Sequence, residues 1–192
     1  MPIRNVAVFC GAQLGNDPAF RAAAEALGRG LAKAGIRLVY GGGRVGLMGA
    51  LADAALAAGG GVIGVIPDFL TRREVAHEGL SELIVTDSMH SRKQRMFEVA
   101  DAFVALPGGL GTLDETIEIV TWRQLGLHDK PVLICDVAGS ATPFVSVIVA
   151  AIARGFAPAA VRQLFEVADT VPAVLDRLRH LTTHPGGTAA RT

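Results

Sequence analysis

The sequence predicts an α/β fold: a doubly wound, mainly parallel sheet with helices on both faces. Three observations carry this. Short apolar runs alternate with helix-patterned segments along almost the whole chain. The runs are apolar throughout rather than every second residue, as strands buried on both faces must be. Glycine clusters follow three of these runs, at the C-terminal strand edges where open α/β sheets hold their ligands.

Val6 to Cys10 is the first strand, and Pro18 to Ala34 is an alanine-rich helix ended by Gly35. Arg37 to Tyr40 is the second strand, followed by GGGRVG and a helix from Leu47 to Ala58. Val62 to Ile66 is the third strand, after which Pro67 opens a loop rich in charge. Leu83 to Thr86 reads as a short strand and Met89 to Ala100 as a helix. Ala102 to Leu106 is the next strand, then the helix Thr112 to Leu125, with apolar Ile117, Val120 and Leu125 and acids at its start. Val132 to Cys135 is a strand, and Pro143 to Arg154 and Val171 to Leu181 are helices. Residues 1–181 form one expected domain, and 182–192 (TTHPGGTAART) read as a mobile tail.

The chain has 192 residues, about half of them apolar, enough for one sizeable core. Its formal net charge of +0 offers no general surface for nucleic acid or an acidic membrane. No apolar run nears the roughly twenty residues that span a bilayer, and the start MPIRNVAVFC lacks a secretion signal, so a cytoplasmic protein is expected. Cys10 and Cys135 each close a buried strand and read as core residues, without a disulfide. Neither zinc nor calcium ligand spacing occurs, and no metal or organic cofactor is expected.

Pro107-Gly108-Gly109-Leu110-Gly111-Thr112 joins a buried strand to a helix start, a geometry that presents backbone N–H groups to an anion. Glu115 on the first turn would repel a phosphate, which points to chemistry beside the phosphate rather than on it. Gly41, Gly43 and Gly46 fit GxGxxG, with Asp68 about twenty residues on, as in NAD sites. That fingerprint normally sits in the first βα turn and here follows the second strand, so nucleotide phosphate binding or a tight structural turn competes with the dinucleotide reading. Met89-His90-Ser91-Arg92-Lys93 opens a helix with cations, an arrangement unfavourable to the helix dipole unless an anion lies near. It reads either as a solvated basic face or as one wall of the same anion site. There is no GxSxG elbow and no P-loop.

Taken together, these stretches resemble the LOG (Lonely Guy) family of cytokinin riboside 5′-monophosphate phosphoribohydrolases. The resemblance rests on VFCG (8–11), YGGGRVGLMG (40–49), GVIP (64–67), MHSRK (89–93), PGGLGTLDE (107–115) and TWRQLGLHDKP (121–131). It implies a Rossmann-like sheet, a homodimer, and hydrolysis of AMP or an N6-substituted AMP to free base and ribose 5-phosphate. By position it implies Arg92 and Glu115 as the catalytic pair. Nucleotide contacts would come from Gly42, Gly43, Glu74, Lys93, Gly108, Gly109, Gly111, Thr112 and Thr121. An older label for the family, lysine decarboxylase, requires a lysine set up to bind PLP, and no lysine here has that context. Ala12 stands where the family often has Ser, and Asp114 where Glu is common, so substrate preference is what these departures affect. Two further readings stay open: a non-catalytic carrier of a nucleotide or of a molybdenum-type cofactor, and an NAD-dependent oxidoreductase resting on GGGRVG and Asp68.

Overall fold

The computed structural model describes residues 1–71 and 76–181. The predicted tail therefore lies outside the described residues. Seven strands make one sheet: β1 (Asn5–Phe9), β2 (Arg37–Tyr40), β3 (Val62–Pro67), β4 (Glu82–Thr86), β5 (Ala102–Ala105), β6 (Val132–Cys135) and β7 (Glu166–Ala168). Their order is β4-β3-β2-β1-β5-β6-β7, and every pairing is parallel. The helices are α1 (Pro18–Lys33), α2 (Gly46–Ala57), α3 (Asp68–Thr71), α4 (Met89–Val99), α5 (Leu110–Gln124), α6 (Thr142–Ala153) and α7 (Val171–His180). A 3-10 turn covers Ala159–Gln163.

Two elements differ from the sequence reading. The loop after Pro67 begins with the single-turn α3, and an edge strand, β7, pairs with β6. β7 has three residues and starts with an exposed glutamate, so it carries neither the length nor the apolar run of a buried strand.

Side-chain alternation splits the sheet into two cores. Val6 and Val8 of β1 and Val104 of β5 pack with Leu27 and Leu31 of α1, Leu51 of α2 and Val174 of α7. Ala7, Phe9 and Phe103 face the opposite way, toward Met96 of α4, Ile119 and Val120 of α5 and Phe144 of α6. Helix starts are fixed by short polar side chains. Asp17 accepts from the Ala19 N–H at 2.8 Å, and Thr170 accepts from Ala173. Ser88 and Ser91 form a reciprocal capping box at α4.

The chain builds β1, β2, β3 and β4 outward on one side, then returns to lay β5 against the other side of β1. That reversal leaves a crevice beyond the C-terminal ends of β1 and β5, the place where doubly wound sheets bind ligands. Among the described residues, no helix is long and apolar enough to cross a membrane.

Candidate active site

A cleft of about 490 Å³ occupies that crevice, within the ~300–1,000 Å³ typical of small-molecule sites. The β1–α1 loop from Cys10 to Gly15, Phe20, and Leu47 and Met48 of α2 form one wall. Arg92 of α4, the turn Pro107–Thr112, Glu115 of α5 and Ser140 complete it. Gly11 ties the two central strand ends together: its N–H donates to Pro107 at 3.0 Å, and its carbonyl accepts from the Leu47 N–H at 3.0 Å.

Arg92 is buried at 6% exposure, and among the described residues no carboxylate is paired with it, which is unusual for an arginine. Its Nε donates to the Val65 carbonyl at 3.0 Å and its Nη2 to the Gly41 carbonyl at 3.0 Å. Gly41 lies just past the end of β2 and Val65 within β3, so the two strands fix the plane of the guanidinium. A side chain at Gly41 would run into Arg92 Nη2, which is why that position has no Cβ. The Nη1 of Arg92 donates to Met89 Sδ at 3.9 Å, and Arg92 also lines the cleft, where a guanidinium's five N–H groups can meet a ligand. The cationic start of α4 also has an internal counter-charge. The Asp87 carboxylate accepts from Ser91 Oγ, and hydrogen bonds from Ser91 and Ser88 hold its pKa below the usual carboxylate value.

Opposite Arg92, α5 begins at Gly109 with no side-chain cap. The amides of its first turn have no intrahelical acceptor and open on the cleft, with the helix dipole behind them. Thr112 packs over Gly108, where a Cβ would collide with it. At Gly109 and Gly111 nothing lies within 4 Å of where a Cβ would stand. Their φ angles are not in the left-handed region either, so neither packing nor backbone conformation calls for glycine there. The space they leave open belongs to the cleft. Glu115, half-buried one turn on, places its carboxylate on the same cleft. Cys10 forms part of the floor. Burial, and then the nearby Glu115 charge, push its thiol pKa far up, with Arg92 opposing, so it stays a neutral group between the two charges.

The structure thus brings together Arg92, Glu115, Gly108, Gly109, Gly111 and Thr112 around one cleft. Gly42, Gly43, Lys93 and Thr121 are not among its lining residues. Gly42 accepts from the His77 N–H at 3.1 Å, and Gly43 bridges Ala76, so this part of the glycine loop seats the segment after α3. Lys93 pairs with Asp114 at 3.2 Å and Glu118 at 3.0 Å. Thr121 is exposed on α5, its hydroxyl donating to the Ile117 carbonyl. Glu74 lies outside the described residues. The glycines of the GxGxxG match make close contacts within the fold. Gly46 has φ +58 and packs its α-carbon against the Ala12 backbone, the Leu47 amide is taken by Gly11, and Asp68 is not in the cleft. Sequence reasoning missed Gln13, Leu14, Phe20, Met48 and Ser140. A switch-point argument could have found the β1–α1 loop, whereas nothing local marks Ser140.

A family profile described as "possible lysine decarboxylase" matches residues 48–178. The cytokinin riboside 5′-monophosphate phosphoribohydrolase of Rhodococcoides fascians is 46% identical over 177 residues, 92% of this chain and 89% of that protein. The rice (Oryza sativa subsp. japonica) enzyme of that name, LOG, is 46% identical over 167 residues, 87% of this chain and 69% of its own. The chain belongs to the LOG family. Among solved structures, the molybdenum cofactor carrier protein of Chlamydomonas reinhardtii superposes with a TM-score of 0.69 at 22% identity, over 91% of this chain and 95% of that one. The molybdenum cofactor binding protein of Rippkaea orientalis gives 0.70 at 23%, over 93% and 96%. At such identities these two share the fold.

For a LOG-family chain, the decarboxylase description finds no support in its lysines. Lys33 ends α1, Lys93 is held by two carboxylates, and Lys130 Nζ donates to the Phe97 carbonyl at 2.6 Å while lying 4.1 Å from that ring's centroid. None of the three reaches the cleft.

Proposed function

We propose that this chain is a nucleoside 5′-monophosphate phosphoribohydrolase, cleaving the N-glycosidic bond of AMP or an N6-substituted AMP to the free base and ribose 5-phosphate. One observation carries the reading: a buried, backbone-anchored arginine and a half-buried glutamate share a cleft with an uncapped helix N-terminus. The names of the close relatives support the same reaction.

The 5′-phosphate sits on the first-turn amides of α5, from Gly109 to Thr112, with the open N–H groups of Arg92 on its oxygens or those of the ribose. Leu14, Phe20 and Met48 offer an apolar wall for the base. As the bond from C1′ to the base nitrogen breaks, its electron pair leaves with the base, which takes a proton from solvent, and C1′ becomes oxocarbenium-like. The Glu115 carboxylate stabilises that positive charge and orients a water. The water oxygen bonds to C1′, and its proton passes to Glu115 and on to solvent. Arg92 would oppose a cation if it stood beside C1′, so its part is anchoring and alignment. Electrostatic stabilisation of this kind is worth about 3–4 kcal/mol, or a rate factor of roughly a hundred to a thousand.

A homodimer belongs to the same proposal. Leu110, Leu113, Ile117 and Leu125 form an exposed stripe along α5, with Leu110 at 85% exposure, and Thr121 lies on the same stripe. A second copy covering it would bury these side chains and bring Thr121 to an interface. A cytoplasmic location fits the two buried, unpaired cysteines. The test is to incubate the purified chain with AMP and with adenosine and follow adenine and ribose 5-phosphate. AMP should be hydrolysed far faster. Equal kcat/KM values would remove the phosphate site, and tight AMP binding without base release would favour a carrier.

A further inference from the structure

His77 is buried although it lies outside the cleft, and both of its ring nitrogens are engaged. Nδ1 accepts from the Gly79 N–H at 3.1 Å. An amide can only donate, so the ring proton sits on Nε2, which donates to the Asp53 carboxylate of α2 at 2.9 Å. The backbone of the same residue holds the glycine loop. Its N–H donates to the Gly42 carbonyl at 3.1 Å, and the preceding residue, Ala76, bridges Gly43. His77 therefore reaches both sides of the turn that joins β2 to α2.

That turn needs outside support. The pairing of β2 with β3 ends at Tyr40, three consecutive glycines follow with the greatest backbone freedom of any residue, and Val45 gives α2 no side-chain cap. Gly42 does pack on β3, where a Cβ added at Gly64 would stand 2.9 Å from the Gly42 α-carbon. Such packing sets where that α-carbon lies, but not which way the adjoining peptides face. Two hydrogen bonds set their carbonyls: Arg92 Nη2 on Gly41 and the His77 N–H on Gly42. Peptide units are planar, so only the two dihedrals of Gly42, at φ +77, separate the plane held by His77 from the plane that holds Arg92.

We infer that His77 staples the β2–α2 turn, from the Gly42 carbonyl to Asp53, and is a positioning residue for Arg92. Its ring fastens the segment from Ala76 to Gly79 onto α2, and its amide then orients the peptide after Gly42. Through Gly42 it steadies the Gly41 carbonyl on which the guanidinium rests. Asp53 is the outer end of the staple, with 61% of its side chain exposed.

The kinetic part of this inference rests on the phosphoribohydrolase reading, and the test separates the two. His77→Leu removes both ring bonds, His77→Gln can still donate to Asp53, and His77→Asn can still accept from Gly79. Asp53→Ala breaks the staple from its exposed end. The variants are compared for AMP turnover, AMP affinity by calorimetry, and amide hydrogen exchange at residues 77 and 79. A staple predicts that His77→Leu and Asp53→Ala lose about ten- to a hundredfold in kcat/KM and that both amides exchange faster. His77→Gln should keep most of the activity, and His77→Asn should not. Adding His77→Leu to Arg92→Met should cost little more than Arg92→Met alone, because both changes act on one guanidinium.

Fully additive losses would overturn the staple, as would rescue by His77→Asn but not by His77→Gln. A folded His77→Leu enzyme with faster exchange and wild-type kcat/KM would leave His77 a role in stability alone and overturn it too. If the wild-type chain releases no base from AMP, the reaction fails by itself, and the same pair of variants read in AMP affinity decides the staple. Should His77→Leu not fold, Asp53→Ala carries the same readouts.

Discussion

Gly111→Ala separates what the protein needs at α5 from what a ligand needs. Nothing stands within 4 Å of the added methyl, the backbone there is helical, and Gly111 is the second residue of α5. Alanine in a helix is favoured over glycine by about 0.5–1 kcal/mol. For a chain of this size that is a rise in Tm of roughly 1–4 °C. In the proposed substrate complex, the same methyl would stand where the phosphate approaches the amides. A substrate pushed back by about 1 Å loses on the order of a hundredfold in rate. Thermal melts and base release from AMP on one preparation should therefore move in opposite directions, stability up and kcat/KM down. A more stable variant with wild-type kcat/KM would show that no anion docks on this turn.

Arg92→Met should leave the Val65 and Gly41 carbonyls without their donor, costing about 1–3 kcal/mol in urea unfolding, and should raise KM for AMP as well as lower kcat. Gly41→Ala should reproduce part of that loss without touching the charge, because the methyl displaces the guanidinium. His128 donates from Nε2 to the Ile119 carbonyl at 2.9 Å, while its buried Nδ1 has no partner among the described residues. Burial lowers its pKa, with the Ile119 bond opposing. The unfolded chain then binds the proton more readily, so stability is full above the unfolded value of about 6.5 and declines as pH falls below it. His128→Gln should flatten that decline in urea midpoints between about pH 7.5 and 5.5, and an unchanged slope would assign it to other groups. Ile117→Lys on the exposed α5 stripe should give a monomer by light scattering if that stripe is the dimer face.

The sequence made the sheet legible because each central strand is an unbroken apolar run and each long helix carries its own cap or glycine stop. β7 escaped because its pairing with β6 comes from tertiary position, not from any apolar signal in Glu166–Ala168. The same division holds at the site. Glu115 and the PGGLGT turn stand out because turn, helix start and acid are contiguous, and Arg92 because it lies at the cationic start of its own helix. What Arg92 rests on is not contiguous. Val65 and Gly41 lie 27 and 51 residues away, and no local pattern links them. The partners of Lys93 are hidden for a related reason: Asp114 and Glu118 come across from α5, more than twenty residues along the chain. The glycines of GGGRVG also make contacts that the motif does not reveal, with close backbone approaches to Arg92, Ala12 and the segment at Ala76.

The most direct test of the reaction is Glu115→Gln assayed on AMP. The substitution keeps size and hydrogen bonding and removes the charge that would oppose the oxocarbenium. If that charge acts in the transition state, kcat falls about a hundredfold or more while AMP affinity holds or improves, since the carboxylate no longer repels the phosphate. If Glu115 serves only the dipole of α5, the change costs about 0.3–1 kcal/mol of stability and base release continues near the wild-type rate, which would contradict the catalytic role given to Glu115.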